Sequence, residues 1–337
     1  MGQTIAFRRR SSRVAAMFFA FALTAASARD RIAQIEFFGY QGIDIEAIRK
    51  ELPVHEGDAL VRGTSAVLRA AVKRITGSDP TDVAAICCIN DGDTVIFIGL
   101  AGKSSRPFAL HPRPAADLRL SSESRMLMRA MDDAEAASAD NSEVDKPAGY
   151  RLMKDVRAQA AELKVRGYAR GHSEELIRVL ANSAHADERA WAADALGYAD
   201  RSREQIDALV IAAHDSNDEV RNNATRALSE ILDGDESAVW MIPASPFIEM
   251  LHSGTWTDRN KAASVVSSLT KSRDVGSLGT IKARAWDALL EMARWRHNGW
   301  SGSARMILAR IAGIPEDRAQ WLSFGTPEAF LEAIGAK

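Results

Sequence analysis

Four residues recur at a fixed distance in the second half of this chain. Arg189, Ala192, Ala195 and Leu196 return as Arg221, Ala224, Ala227 and Leu228, each 32 residues later. Self-similarity at such a period marks supersecondary units that stack into an array. A third copy reads Arg259, Ala262, Val265 and Val266, and a fourth Ala304, Ile307, Leu308 and Ile311; the lengthening offsets indicate insertions between later copies. Within one copy an apolar first helix (Ile206, Leu209, Val210, Ala213) is followed by a polar turn, Asp215 to Asp218, and a second helix, Val220 to Ile231. In that second helix Val220, Ala224, Ala227, Leu228 and Ile231 form one apolar stripe at period 3.6. A single helix pair cannot bury such a stripe, whereas stacked pairs can. Residues 150–337 are therefore expected to form an α-helical solenoid, which makes the fold class mainly α.

The stretch Asp218-Glu219-Val220-Arg221-Asn222-Asn223-Ala224, with Ala227-Leu228, resembles the second helix of a HEAT repeat, and Asp187 to Gly197 is similar to a looser version. On the residues alone an armadillo-like or other α-solenoid stays open. The resemblance implies a curved array with a long concave recognition surface, hence a non-catalytic protein–protein interaction scaffold with partners of unknown identity. The recurrent Arg189, Arg221 and Arg259 are expected to be structural, pairing with acids of the Asp218 type or capping carbonyls. Residues pointing away from the stripe are the expected protein-binding surface: Asp194, Asn222, Arg226, Asn260 and Ser264. Trp191 and Asn223 fall at the stripe edge, and Trp286, Trp295 and Trp300 are expected in the core.

Residues 29–103 read as strand, helix, helix, strand, strand. Ile32, Ile35, Phe37 and Gly39 open an extended segment, and Ile45, Ile48 and Leu52 lie at helical spacing before Pro53. Thr64 or Ser65 is placed to cap a second helix carrying Val67, Leu68, Val72 and Ile75 up to Gly77. Two β-rich runs, Val83 to Ile89 and Thr94 to Leu100, flank Asn90-Asp91-Gly92-Asp93, a hairpin signal. This order, with its Ile-x-x-Ile-x-Phe-x-Gly opening, resembles the POTRA domain, a small βααββ module. The resemblance implies a sheet edge open to an extended partner. Residues 104–149 begin with Pro107, Pro112 and Pro114 and end in a polar run, as a linker does, with one helix expected over Ser121 to Ala137.

The first residues place Arg8, Arg9, Arg10 and Arg13 before an uncharged stretch, Val14 to Ala26, and the triplet Ala26-Ser27-Ala28. That is the layout of a secretory signal peptide over residues 1–28, cleaved after Ala28, with an uncleaved membrane anchor as the alternative. The location expected is the periplasm or the secreted fraction of a bacterial envelope, with membrane contact only if the segment is retained. Removing four arginines from the 43 basic residues leaves 39 against 45 acids, a net −6. Such a balance excludes the clustered positive charge that a nucleic-acid partner requires. Cys87 and Cys88 are the only cysteines. Neighbours on a strand point to opposite faces, so they are expected as small apolar residues, a reactive thiol being the alternative.

No catalytic residue, metal ligand or cofactor site is expected. Gly102-Lys103-Ser104 ends like a P-loop, but Phe97 stands where its first glycine belongs and Ser105-Arg106-Pro107 opposes the required helix. His185 and His214 fall in turns near Asp187 and Asp215 and are expected to be solvated. His55-Glu56 is the one His-Glu dipeptide, outside the repeats. The alternative function is an enzyme or enzyme-maturation factor of the HEAT-like lyase type, its pocket on the concave face.

Overall fold

The computed structural model describes residues 31–89, 93–138 and 149–336. The expected export segment, Asn90-Asp91-Gly92 of the hairpin turn, the polar run Asp140 to Pro147 and the side chain of Cys88 lie outside the described residues. Strand β1 (Ile32–Phe38) leads to helices α1 (Ile45–Glu51) and α2 (Thr64–Thr76), then to β2 (Asp82–Ile89) and β3 (Asp93–Gly99). The sheet order is β1-β3-β2, with β1 parallel and β2 antiparallel to β3. Asp44 caps α1 by accepting from Glu46 N and Ala47 N, and Gly77, in the left-handed region, ends α2. At the start of α2 the expected Thr64 or Ser65 cap gives way to Gly63, and Thr64 Oγ1 donates to Val61 O instead.

The central strand β3 is buried on both faces, which explains its unbroken apolar run. Ile96 and Ile98 pack with Ile35, Phe37, Ile48, Leu68 and Val72 on one side. On the other side Val95, Phe97 and Phe38 join the core of the helical array. The strand register breaks between Cys87 and Ile89, so the alternation argument for the cysteine pair fails there. Cys87 is disulfide-bonded, not a free apolar thiol.

Helix α3 (Ser122–Ala136), capped by Ser121, packs along α4 (Val156–Gly171). Five helix pairs follow: α5 (Ser173–Asn182) with α6 (Ala186–Leu196), α7 (Arg203–Ala212) with α8 (Asp218–Gly234), and α9 (Ser245–Met250) with α10 (Trp256–Leu269). The last two are α11 (Val275–Ala293) with α12 (Asn298–Ile311) and α13 (Glu316–Ser323) with α14 (Pro327–Ala333). Helices α6, α8, α10 and α12 contact one another in sequence and form one layer of a mainly α-helical solenoid. Ala224, Ala227, Ala262, Ala263 and Ala304 are buried there, since small side chains let the helices approach. Between α8 and α9 the third copy is longer, and the extra residues form a short 3-10 turn, Glu236–Trp240, that leaves Trp240 83% exposed. No helix among the described residues is long and apolar enough to cross a membrane.

The stretch expected as a linker is docked from Ser104 to Ala136. Residues 104–120 run as an extended strap along the turns between paired helices, and Leu120, Met128 and Met131 are buried in the main core. Few large side chains were available to signal this, because much of the docking is through the main chain. Arg106 N, His111 N and Ala116 N donate to His252 O, His214 O and Asn182 O at 2.9, 2.7 and 3.2 Å.

Where strap, sheet and solenoid meet, Glu291 is buried. Its Oε2 accepts from Gly39 N (2.7 Å) and Arg259 Nη1 (3.1 Å), and its Oε1 from Tyr40 N (2.9 Å) and Ser104 Oγ (2.5 Å). Gly39 is at φ +71°, and a Cβ there would lie 2.4 Å from Leu100 O, so only glycine presents its amide to this carboxylate. Glu291→Ala should therefore destabilise the fold by roughly 3–5 kcal/mol, leaving a buried guanidinium and two amides without their acceptor. A denaturant melt shifted by less than about 1 kcal/mol would contradict this account.

At the far end of the array Glu316 receives Arg310 Nη2 at 2.5 Å and Arg273 Nη2 at 2.8 Å. The Arg310 hydrogen bonds hold its carboxyl down at about 2 from an ordinary 4.5. A depressed acid contributes stability above its unfolded value and loses it as pH falls from about 4.5 towards 2. Glu316→Gln should flatten that part of the stability–pH curve, as read from melts at pH 6 and pH 3; an unchanged slope would show that Glu316 does not contribute it.

Candidate functional site

The second-layer helices begin with the recurrent arginines, and these do not reach solvent. Arg189 Nε and Nη2 donate to both oxygens of Asp215 at 2.8 and 2.7 Å, while Nη1 caps Ser183 O. Arg221 repeats the arrangement with Asp258 (2.9 and 3.1 Å) and Asp215 O. Arg259 repeats it with Glu291 and Ser253 O. Burial pulls the Arg259 guanidinium down to about 10, still cationic at neutral pH. The structural role expected for these residues is found, but each carboxylate belongs to the next repeat, not to an Asp218-type neighbour. The fourth pair has no such acid: Arg305 donates to Ala293 O, Trp295 O and Ser323 O.

The five expected recognition residues occupy one ridge on α6, α8 and α10, and all are half-buried. Arg226 Nη2 donates to Asp194 Oδ1 at 2.7 Å across the helix interface, with side chains 20% and 13% exposed. These two are thus an ion pair joining neighbouring repeats, where the helical phase alone had placed Arg226 in the open. Helix α8 is covered on more than one side, so the residue opposite its apolar stripe still meets a neighbour. Asn222 makes one long contact, Nδ2 to Asn223 Oδ1 at 3.5 Å, and Ser264 Oγ donates to Asn260 O at 3.3 Å. Asn222, Asn260 and Ser264 are the uncharged members of the set. Asn223 is buried and donates to Ala190 O at 3.0 Å, tying α8 to α6.

The ridge ends in a charged cluster beneath α3 and α4. Arg151 meets Glu135 and Glu162, Tyr198 Oη donates to Glu162 Oε1 at 3.1 Å, and Trp191 Nε1 donates to Asp132 at 2.9 Å. Burial raises the carboxyls of Asp132, Glu135 and Glu162 despite these partners. The arrangement fixes α3 and α4 on the first repeat.

A cleft of about 730 Å3 lies between α1, β1, the end of α11 and α14. It is not on the ridge. Glu36 and Glu56 line it and both accept from Arg296, at 2.8 and 2.5 Å, and Glu56 also accepts from Ile35 N at 2.9 Å. Burial raises Glu36, while Glu56, opposed by its own partial burial, is lowered by the Arg296 hydrogen bonds. Burial pushes the Tyr40 phenol in the same wall up to about 12. These acids hold the α+β domain to the solenoid, and Glu56 of the His-Glu dipeptide is engaged there.

The tryptophans divide. Trp295 is buried and its Nε1 donates to Phe37 O at 3.0 Å, and Phe97 lies 4.9, 5.0 and 5.4 Å from Trp295, Trp256 and Trp300. Trp256, which the repeat pattern did not single out, is thus central to the joint, whereas Trp286 is half-buried with Lys282 over its ring. His185 and His214 are not simply solvated turn residues. They hold the strap, His185 Nε2 against Asp117 Oδ1 at 2.6 Å and His214 Nδ1 donating to Ala109 O at 2.7 Å. Ser104, the last residue of the P-loop-like triplet, is spent on Glu291.

Among solved structures the chain is similar to an engineered protein, 18% identical, covering 64% of this chain and 94% of that one at a TM-score of 0.40. It is similar to a designed armadillo repeat protein, 16% identical, over 62% of this chain and 98% of that one at a TM-score of 0.38. Another designed armadillo repeat protein, in complex with the peptide (KR)4, is 16% identical over 63% and 100% at a TM-score of 0.37. No curated protein matches the chain. The family model of HEAT repeats matches residues 173–267, the span of α5 to α10 that carries the three recurrent arginines and the ridge.

Proposed function

We propose that this chain is a non-catalytic scaffold of the bacterial cell envelope, exported by its first 28 residues, that holds a protein partner against the ridge of α6, α8 and α10. The observation that carries the reading is positional. Asn222 and Asn260 stand at equivalent places on successive helices, one turn before Arg226 and Ser264, and present half-buried, uncharged amides beside the Arg226–Asp194 pair. Stacked equivalent positions of this kind suit recognition of an elongated partner. The POTRA-like reading of residues 29–103 belongs to the same proposal. Its βααββ order supports it, although the sheet face turned to the solenoid is spent on Trp256, Trp295 and Trp300. Glu36, Glu56 and Glu291 in the cleft are committed to arginines, which favours a scaffold over a lyase-type enzyme.

Three variants separate packing from recognition. Ala224→Asp places a charge in a fully buried seam and should cost several kcal/mol. Arg226→Glu sets a second acid against Asp194 and should cost on the order of 2 kcal/mol. Asn222→Asp should change stability by no more than about 0.5 kcal/mol and weaken partner capture. Crosslinking mass spectrometry on the tagged chain in its native host, with melts of each variant, reads both quantities. Crosslinks that avoid α6, α8 and α10, or capture unaffected by Asn222→Asp together with Asn260→Asp, would refute the ridge as the site.

Export has its own test. The intact mass of the chain from the envelope fraction should correspond to an N-terminus at Arg29. Retention of residues 1–28 on membrane-bound material would establish the anchor instead.

A further inference from the structure

The strap is bound in the manner of a ligand. Its three main-chain donors, Arg106, His111 and Ala116, are spaced by five residues, and their acceptors His252 O, His214 O and Asn182 O each lie seven residues before a recurrent arginine. One carbonyl per repeat, at an equivalent position in three successive repeats, is thus engaged by one amide of an extended chain. Ala184 N donates back to Ala116 O at 2.7 Å. Many strap side chains are exposed, among them Arg106, Pro107, Leu110, His111 and Pro112. Phe108 turns inward, its ring 5.2 Å from His214 with the Arg221 guanidinium 5.9 Å away, while Arg113 Nε donates to Ala184 O at 2.9 Å and Asp117 meets His185. Proline follows the first two donors directly and keeps the chain extended at small entropic cost. In recognition of this kind main-chain hydrogen bonds supply affinity and the few engaged side chains supply specificity.

We propose that this edge of the solenoid is a binding site for an extended, proline-containing polypeptide, filled in cis by residues 104–120 and open to a partner's segment of the same spacing when the strap is displaced. The site is separate from the ridge of the preceding section and does not depend on it. The occupant it fits offers an amide every fifth residue and one aromatic side chain two places after the first. A tethered strap competes at an effective concentration in the millimolar range, so an outside segment gains access only as the strap gives way.

The probe is a labelled synthetic peptide of residues 104–120, read by fluorescence anisotropy. The test protein is the full chain with Arg106, His111 and Ala116 each replaced by Pro and Phe108 by Gly, which removes the three donor amides and the inward ring while Ser104 and Leu120 keep their contacts. The peptide should bind this variant at least about tenfold more tightly than the intact chain. N-methylation of the peptide at residues 106, 111 and 116 should abolish binding. Absence of binding to a variant whose melt still shows a folded solenoid, or equal binding of the methylated peptide, overturns the proposal. Should the variant not fold, hydrogen exchange on the intact chain decides. Excess peptide should speed exchange at Arg106, His111 and Ala116 while α8 and α10 keep their protection; strap amides that exchange only together with those helices overturn it. Asn222→Asp should leave peptide binding unchanged, so a failure of the ridge reading is distinguishable from a failure here.

Discussion

A guanidinium cut off from water must place its donors or destabilise the protein that holds it, and this fold repeats one solution three times. Arg189, Arg221 and Arg259 each lie near the start of a second-layer helix, cap a carbonyl of their own turn and reach forward to a carboxylate of the next repeat. Because each acid belongs to the following unit, the ladder fixes the order and spacing of the stack. Such a pair contributes little net stability against an apolar alternative, but it strongly penalises any register in which it is broken. At the third rung the acid is Glu291, whose remaining acceptor capacity goes to Gly39, Tyr40 and Ser104. The same chemistry that sets one repeat on another therefore also docks the α+β domain and anchors the strap.

Burial of β3 on both faces follows from that docking. A three-stranded sheet with two helices on one side leaves its other side apolar, and here Phe38, Val95 and Phe97 are covered by Trp256, Trp295 and Trp300. The tryptophans come from turns and helix starts at the edge where the ladder lies. Sheet and strap together occupy this edge from α5 to α12, leaving the second-layer ridge and the opposite edge, with Trp240, for other contacts.

The repeat array was legible in the sequence because its signal is local and periodic: Arg189, Ala192 and Leu196 return as Arg221, Ala224 and Leu228 with their spacing intact. The βααββ order was legible for the same reason. What escaped was whatever depends on distant partners. Arg226 lies opposite the apolar stripe of α8, yet Asp194 sits across from it on α6. His185 and His214 look like turn residues until the strap is placed beside them. The strap itself has the prolines and outward polar residues of a linker, since main-chain recognition leaves almost no trace in side-chain pattern. Its one inward aromatic, Phe108, was the available clue.

A column of stacked repeats ordinarily bends as a spring does, each unit answering only to its neighbours. Here the chain returns along one side of the column and ties residue 39 to residue 291, and residue 106 to residue 252. That return is a cable along a flexible mast. Flexing that opens the tied edge must load these hydrogen bonds, while flexing the other way relaxes them, so the curvature of the array should be softer in one direction than in the other.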